Sequence, residues 1–296
     1  MTVPRRQRRQ SGRRALVDGI PFTMPVNSEH SPALMAAFTI DADRARALLP
    51  GNEIHPLRLT PRRGLLIVTV IDYRITDIGR YIEFSIAIAC THGARPAPLL
   101  LPGLLQKTFG AGQFVVDLPV STEVSVKGGK GIWGMPKHQA NLDFTITDHE
   151  VSSQYDLDGH LAMRIEIDRP HQVTLPVRTS AVNYCAFRGL LQKSSIYFQG
   201  RMDVALFRQA NARLYLGEHP RMDVLRDLDI SGRPLFCGFL PDSRGVLDDH
   251  FESWFLTSEQ FPATKPEGLE SVVDLGLSDQ WLDPPAASHT TQEAVA

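Results

Sequence analysis

One lysine stands in surroundings suited to nucleophilic chemistry. Residues 128–144 read GGKGIWGMPKHQANLDF, with Lys137 directly after Pro136. The proline ring fixes its own φ near about −65° and removes a backbone N–H, and it biases Met135 towards extended backbone. Gly131 and Gly134 permit a turn or a close approach to other backbone. Trp133 and Met135 are apolar neighbours. An ammonium held among such groups is poorly solvated, which favours the neutral, nucleophilic amine. The same spacing also fits a solvated lysine in a surface turn, and spacing alone leaves both readings open.

A second candidate group lies on a strand. Residues 81–90, YIEFSIAIAC, alternate cleanly. Ile82, Phe84, Ile86 and Ile88 make an apolar side, which is core. Tyr81, Glu83, Ser85, Ala87 and Ala89 make a side of mostly small residues with one carboxylate, as the lining of a cavity would. Glu83 also fits an exposed glutamate on a half-solvated strand. Competing chemistry is poorly supported. The Gly110 segment, GAGQF, has no following helix and lysine to bind phosphate. The ten histidines are scattered without metal-ligand spacing. There is no nucleophile-elbow serine.

The segment GIWGMPKH over 131–138 resembles the Gly-x-x-(aromatic)-Pro-Lys segment of the acetoacetate decarboxylase superfamily. Acetoacetate decarboxylase is the type case of a lysine activated by a dry pocket or a cationic neighbour. The resemblance extends weakly from about Phe38 to about Asp248. It implies that Lys137 is the Schiff-base lysine and that Glu83 faces it, positioning substrate or shuttling a proton. It further implies that Tyr81, Trp133 and Met135 line the substrate pocket. Where better-known members carry a second lysine, this chain has His138, which is expected to supply a charge or hydrogen bond beside the nucleophile. The family's substrate-side arginine falls near Ser31 and a second glutamate near Leu66.

The elements that would position these groups are mostly strands. Expected strands cover 33–40, 64–73, 81–90, 113–120, 155–167, 212–217 and 235–240, with further extended pieces at 140–147, 171–176, 184–189 and 193–206. Asp41 reads as the N-cap of a helix that stops at Pro50-Gly51, and a short amphipathic helix is expected over 220–228. The Leu-rich segment 91–107 is too apolar for a free loop and should pack on the body or on another subunit. The pattern predicts an α+β, mainly β fold. By resemblance this is an antiparallel, cone-shaped β-barrel with a few peripheral helices, holding the lysine inside.

Length and composition agree with one domain. The 296 residues are 43% hydrophobic and 22% charged, with a formal net charge of −2. That balance argues against nucleic-acid or membrane-surface binding by the folded body. No apolar run approaches the ~20 residues of a membrane helix, and the N-terminus has no apolar h-region behind its charges. Cys90, Cys185 and Cys237 give no disulfide framework, which suits a reducing cytoplasm. Residues 1–15 read as a disordered basic arm, 16–277 as the single domain and 278–296 as a disordered tail.

The expected function is a cofactor-free lyase, expected as a homo-oligomer, that condenses Lys137 with a small oxo acid. Two alternatives stand beside decarboxylation. One is aldolase, dehydratase or cyclase chemistry on an α-keto acid. The other is a non-catalytic barrel that binds a small hydrophobic carboxylate.

Overall fold

Alternation of apolar and polar residues sets most elements of the chain. The computed structural model describes residues 13–171, 173–248, 250–257 and 275–285. A hairpin comes first, β1 (Arg13–Val17) and β2 (Ile20–Met24), turned by Asp18 and Gly19 at positive φ. β3 (Val26–Glu29) and β4 (Ala33–Asp41) follow. Asp41 caps α1 (Ala42–Leu48) by accepting hydrogen bonds from the backbone N–H groups of Asp43 and Arg44. Next are β5 (Ile54–Pro56), β6 (Arg63–Tyr73), β7 (Ile75–Thr76) and β8 (Tyr81–His92). The segment beyond β8 holds one helical turn, α2 (Leu101–Leu104). β9 (Gly112–Val120), α3 (Glu123–Trp133) and β10 (Lys137–Gln139) carry the stretch around the lysine.

The strand expected over 140–147 is interrupted, leaving β11 (Asn141–Leu142) and β12 (Thr145–Ile146), both paired with β13 (Glu150–Leu157). The break falls at Asp143, whose carboxylate takes the Gln154 N–H that a strand carbonyl would otherwise accept. β13 and β14 (His160–Asp168) are joined by Asp158-Gly159, both at positive φ as a tight primed turn requires. The separate extended pieces read between 171 and 206 are one long hairpin, β15 (Val173–Phe187) and β16 (Leu190–Leu206), turned at Arg188-Gly189. β17 (Ala212–Leu216) leads through the turn Pro220–Met222 into α4 (Asp223–Arg226). β18 (Pro234–Leu240), β19 (Ser243–Leu247) and β20 (Glu252–Phe255) complete the described elements.

Pairing closes the main sheet into a barrel. The ring runs β9-β8-β6-β4-β18-β16-β15 and returns to β9, where Asn183 and Tyr184 pair in parallel with Gln113 and Phe114. The other ring neighbours are antiparallel. A second sheet, β11-β13-β14-β17, packs on the outer face of this barrel. The largest core lies between the two sheets: Phe38, Leu66, Phe84, Ile86 and Ile88 meet Tyr155, Met163 and Ile165. Each such fully buried side chain contributes about 1.5–3 kcal/mol. The opposite faces of the same barrel strands line the interior. The fold is mainly β with few helices.

Two expectations need correction. The basic arm expected over residues 1–15 overlaps the strand Arg13–Val17, where Ala15 and Val17 bury against the α3 side of the barrel; residues 1–12 lie outside the described residues. The tail from Ser278 is not free up to Pro285. Ser278 accepts from the Val124 N–H, Gln280 accepts from Gln139, and the Arg80 guanidinium lies 5.1 Å over the Trp281 ring. In the Leu-rich segment 91–107, Thr91 and Pro102 are buried on this chain, and packing on another subunit stays an expectation. Leu99, Leu100, Leu101, Leu104 and Leu105 are exposed on this chain, because the segment projects past the end of β8 and β9.

Candidate active site

The glycine-rich run before Lys137 is helical, not a turn. Its glycines serve close approach. A Cβ on Gly129 would lie 2.4 Å from Lys137 Cδ, and one on Gly131 would lie 2.5 Å from Val17 Cγ1. α3 can therefore lie against both the lysine side chain and the β1–β2 hairpin. Gly134, at φ 63°, ends the helix in the left-handed region. The Lys137 N–H then donates to the Met135 carbonyl at 2.8 Å, a tight turn centred on Pro136. From there β10 joins β9 in parallel, with Lys137 opposite Leu118.

This path delivers the lysine side chain into the barrel interior. Lys137 is 3% exposed. Its Nζ lies 2.7 Å from Glu83 Oε2, donates to Ser125 Oγ at 2.9 Å, and sits 5.2 Å from the centre of the Tyr81 ring. Burial and, secondarily, the Glu83 charge push the Tyr81 phenol well above its ordinary pKa, so it remains neutral. The surrounding cavity is about 440 Å³. Tyr81, Glu83, Trp133, Met135 and Lys137 all line it. Trp133 is fixed by donating its indole N–H to the Asp248 carbonyl at 3.2 Å.

His138 is not in this group. Adjacent strand residues point to opposite faces, so His138 leaves the cavity and meets Asp117 Oδ1 at 2.9 Å. Tyr155 donates its hydroxyl to Asp117 Oδ2 at 2.8 Å, and Arg221 reaches Oδ1 at 3.2 Å. Burial raises the Asp117 pKa, but the His138 and Arg221 charges and the hydrogen bonds outweigh it and hold the carboxyl below its usual value. The expected role of His138 beside the nucleophile is thus corrected: it belongs to a cluster that ties the barrel to the second sheet. Ser31 is buried in a turn against Ser243, and Leu66 lies in the inter-sheet core, so neither offers a group to the cavity.

Sequence reasoning missed Ser125 and Gly129. Their i, i+4 spacing puts both on one face of a helix, a signal visible only once 123–133 is read as helical. It also missed the interior walls contributed by β4, β6 and β16. Among the described residues, no three of His, Cys, Asp or Glu converge as a metal site, and no helix is long and apolar enough to cross a membrane.

The chain thus folds as a closed β-barrel around a buried, carboxylate-paired lysine. The chain belongs to the acetoacetate decarboxylase family, whose model, Acetoacetate decarboxylase (ADC), matches residues 8–186, more than half of the chain. A comparison with curated proteins finds no match. Among solved structures, the acetoacetate decarboxylase from Legionella pneumophila subsp. pneumophila str. Philadelphia 1 is similar at 14% identity and TM-score 0.57, covering 82% of this chain and 92% of that one. The enduracididine biosynthesis enzyme MppR, complexed with the condensation product of pyruvate and imidazole 4-carboxaldehyde, is similar at 14% identity and TM-score 0.54, covering 77% and 88%. An acetoacetate decarboxylase-like enzyme from Sphingomonas wittichii RW1 gives 14% identity and TM-score 0.51, covering 78% and 94%. At such identities the likeness is one of fold.

Proposed function

We propose that the protein is a Schiff-base-forming lyase that decarboxylates an oxo acid through Lys137. The observation that carries this reading is the buried amine, 2.7 Å from a carboxylate inside a mainly apolar cavity. Glu83 accepts the proton that the ammonium must lose before attack. The neutral amine adds to the ketone, water leaves, and an iminium forms. The bond between the α carbon and a β-placed carboxylate then breaks. Its electron pair flows to the iminium, giving a neutral enamine and CO2. Protonation of the α carbon and hydrolysis release the ketone and restore the lysine. The imine itself is the electron sink, so the mechanism calls on no cofactor.

One observation favours decarboxylation over aldol chemistry. Lys137 is the one cation among the described lining residues. A substrate carboxylate there has only the iminium as a partner, and their mutual neutralisation is the step that a low-dielectric cavity favours most.

The test is borohydride reduction in the presence of acetoacetate or pyruvate, read by intact mass and peptide mapping. The label should fall on Lys137, and Lys137→Ala should lose both label and turnover while keeping its fold. Glu83→Gln should slow imine formation by roughly 10²–10⁴. Label on Lys107, Lys127 or Lys193 instead, or an undiminished rate in Glu83→Gln, overturns the assignment.

A further inference from the structure

The cavity is larger than a small oxo acid needs, and its two charged groups are paired at one place. Glu83, Ser125 and Lys137 cluster together. The rest of the wall includes Met35 from β4, Ile67 and Ile71 from β6, and Phe198 and Met202 from β16. Apart from Lys137 and Glu83, no lining residue among those described carries a formal charge. A second ionised group on a substrate, placed away from the lysine, would therefore be buried without a partner, a strongly unfavourable arrangement. Methionine and phenylalanine walls suit an apolar chain, because the thioether side chains adapt their shape to what they pack on.

The cavity also has an approach of mixed polarity, with Lys107 and Lys193 at its outer part. Ile67, Gln106, Gln113, Ser180 and Ala181 line both it and an adjoining, more open cavity of about 610 Å³. The outer cavity is bordered by Pro102 and Gly103 of the Leu-rich segment. The exposed Leu101, Leu104 and Leu105 belong to that same segment.

We infer that the preferred substrate is a 3-oxo acid carrying an apolar alkyl chain on the far side of its ketone. The chain runs along Met35, Ile67, Phe198 and Met202 while the ketone meets Lys137. The inference rests on the imine reading above and adds to it the side of the ketone on which size is selected. The bond that breaks is again the one to the carboxylate carbon. Its electrons pass to the iminium, and the products are CO2 and a long-chain methyl ketone.

A series of methyl ketones, which form the imine but have no carboxylate to lose, isolates chain recognition from turnover. Acetone, butanone, pentan-2-one, heptan-2-one and nonan-2-one are each titrated against the full-length protein with borohydride, and the half-saturating concentration of Lys137 labelling is read by mass. Each added methylene should lower it about three- to fourfold until the cavity is filled. Met35→Trp, which occupies the apolar end, should shrink the advantage of nonan-2-one over acetone. Labelling of Lys137 by short ketones with no gain along the series overturns the substrate class and leaves the imine reading standing. No label with any ketone or oxo acid overturns the imine reading itself. An advantage of nonan-2-one that survives in Met35→Trp puts the chain elsewhere and overturns its placement.

Discussion

Lys137 and His138 are neighbours in sequence, and the side-chain alternation of a strand sends them to different jobs. The amine enters the cavity, while the imidazole meets Asp117 behind it. The Asp117 cluster therefore belongs to stability. Its carboxyl is held below the unfolded value of 3.8. The associated stabilisation is thus fully present above that value and is lost as pH falls through the lower folded value. Asp117→Asn should lower stability at neutral pH by roughly 2–3 kcal/mol, the scale of hydrogen bonds to a charged group. The same variant should flatten the loss of stability below the unfolded value. Denaturant unfolding across the acid range checks both effects, and a variant as stable as wild type at neutral pH would show that the cluster contributes little.

At the scale of elements, α3 is built around what its glycines omit. Helix propensity alone favours Gly129→Ala by about 1 kcal/mol. The added methyl, however, would lie 2.4 Å from Lys137 Cδ and 2.8 Å from its Cε. The lysine must move, and the 2.7 Å contact with Glu83 moves with it. Gly129→Ala should keep a melting temperature close to that of wild type while losing most borohydride trapping. A variant that traps normally would mean the amine tolerates displacement. The same pairing of helix and strand explains why the lysine is placed so closely. β10 is three residues long, too short to hold its register alone, and the left-handed cap at Gly134 and the turn at Pro136 fix its entry.

At the scale of the molecule, the barrel interior is closed from the side by α3, and α3 is strapped by the described C-terminal segment. Lys127, 3% exposed, donates to the Leu275 carbonyl at 2.5 Å and pairs with Asp18 at 3.2 Å. Leu275 packs with Val17 and Phe22. Ending the chain before Leu275 should leave the Lys127 ammonium short of one acceptor and destabilise the fold by roughly 1–3 kcal/mol. For a domain of this size that is a fall of about 2–4 °C in Tm per kcal/mol. An unchanged melting temperature would show that the strap adds nothing.

Local sequence determined a good deal of this. Alternation over residues 81–90 separated Ile82, Phe84, Ile86 and Ile88 from Tyr81, Glu83 and Ser85, and the two sides do face the inter-sheet core and the cavity. The Asp41 cap and the Asp158-Gly159 turn were legible because each depends on groups within a few residues. Lys137 stood out only through the family resemblance of the motif around it, since its spacing also fits a surface turn. Other features depend on partners far along the chain. Whether GGKG is turn or helix rests on Val17, Phe22 and Lys137 packing against its glycines. The direction of His138 depends on the register of β10 against β9. The interior walls from Met35, Ile67, Phe198 and Met202 come together only when β15 closes the ring onto β9. Sequence periodicity records which face of a strand is apolar, but not whether that face meets another sheet or encloses a cavity; barrel closure decided that here.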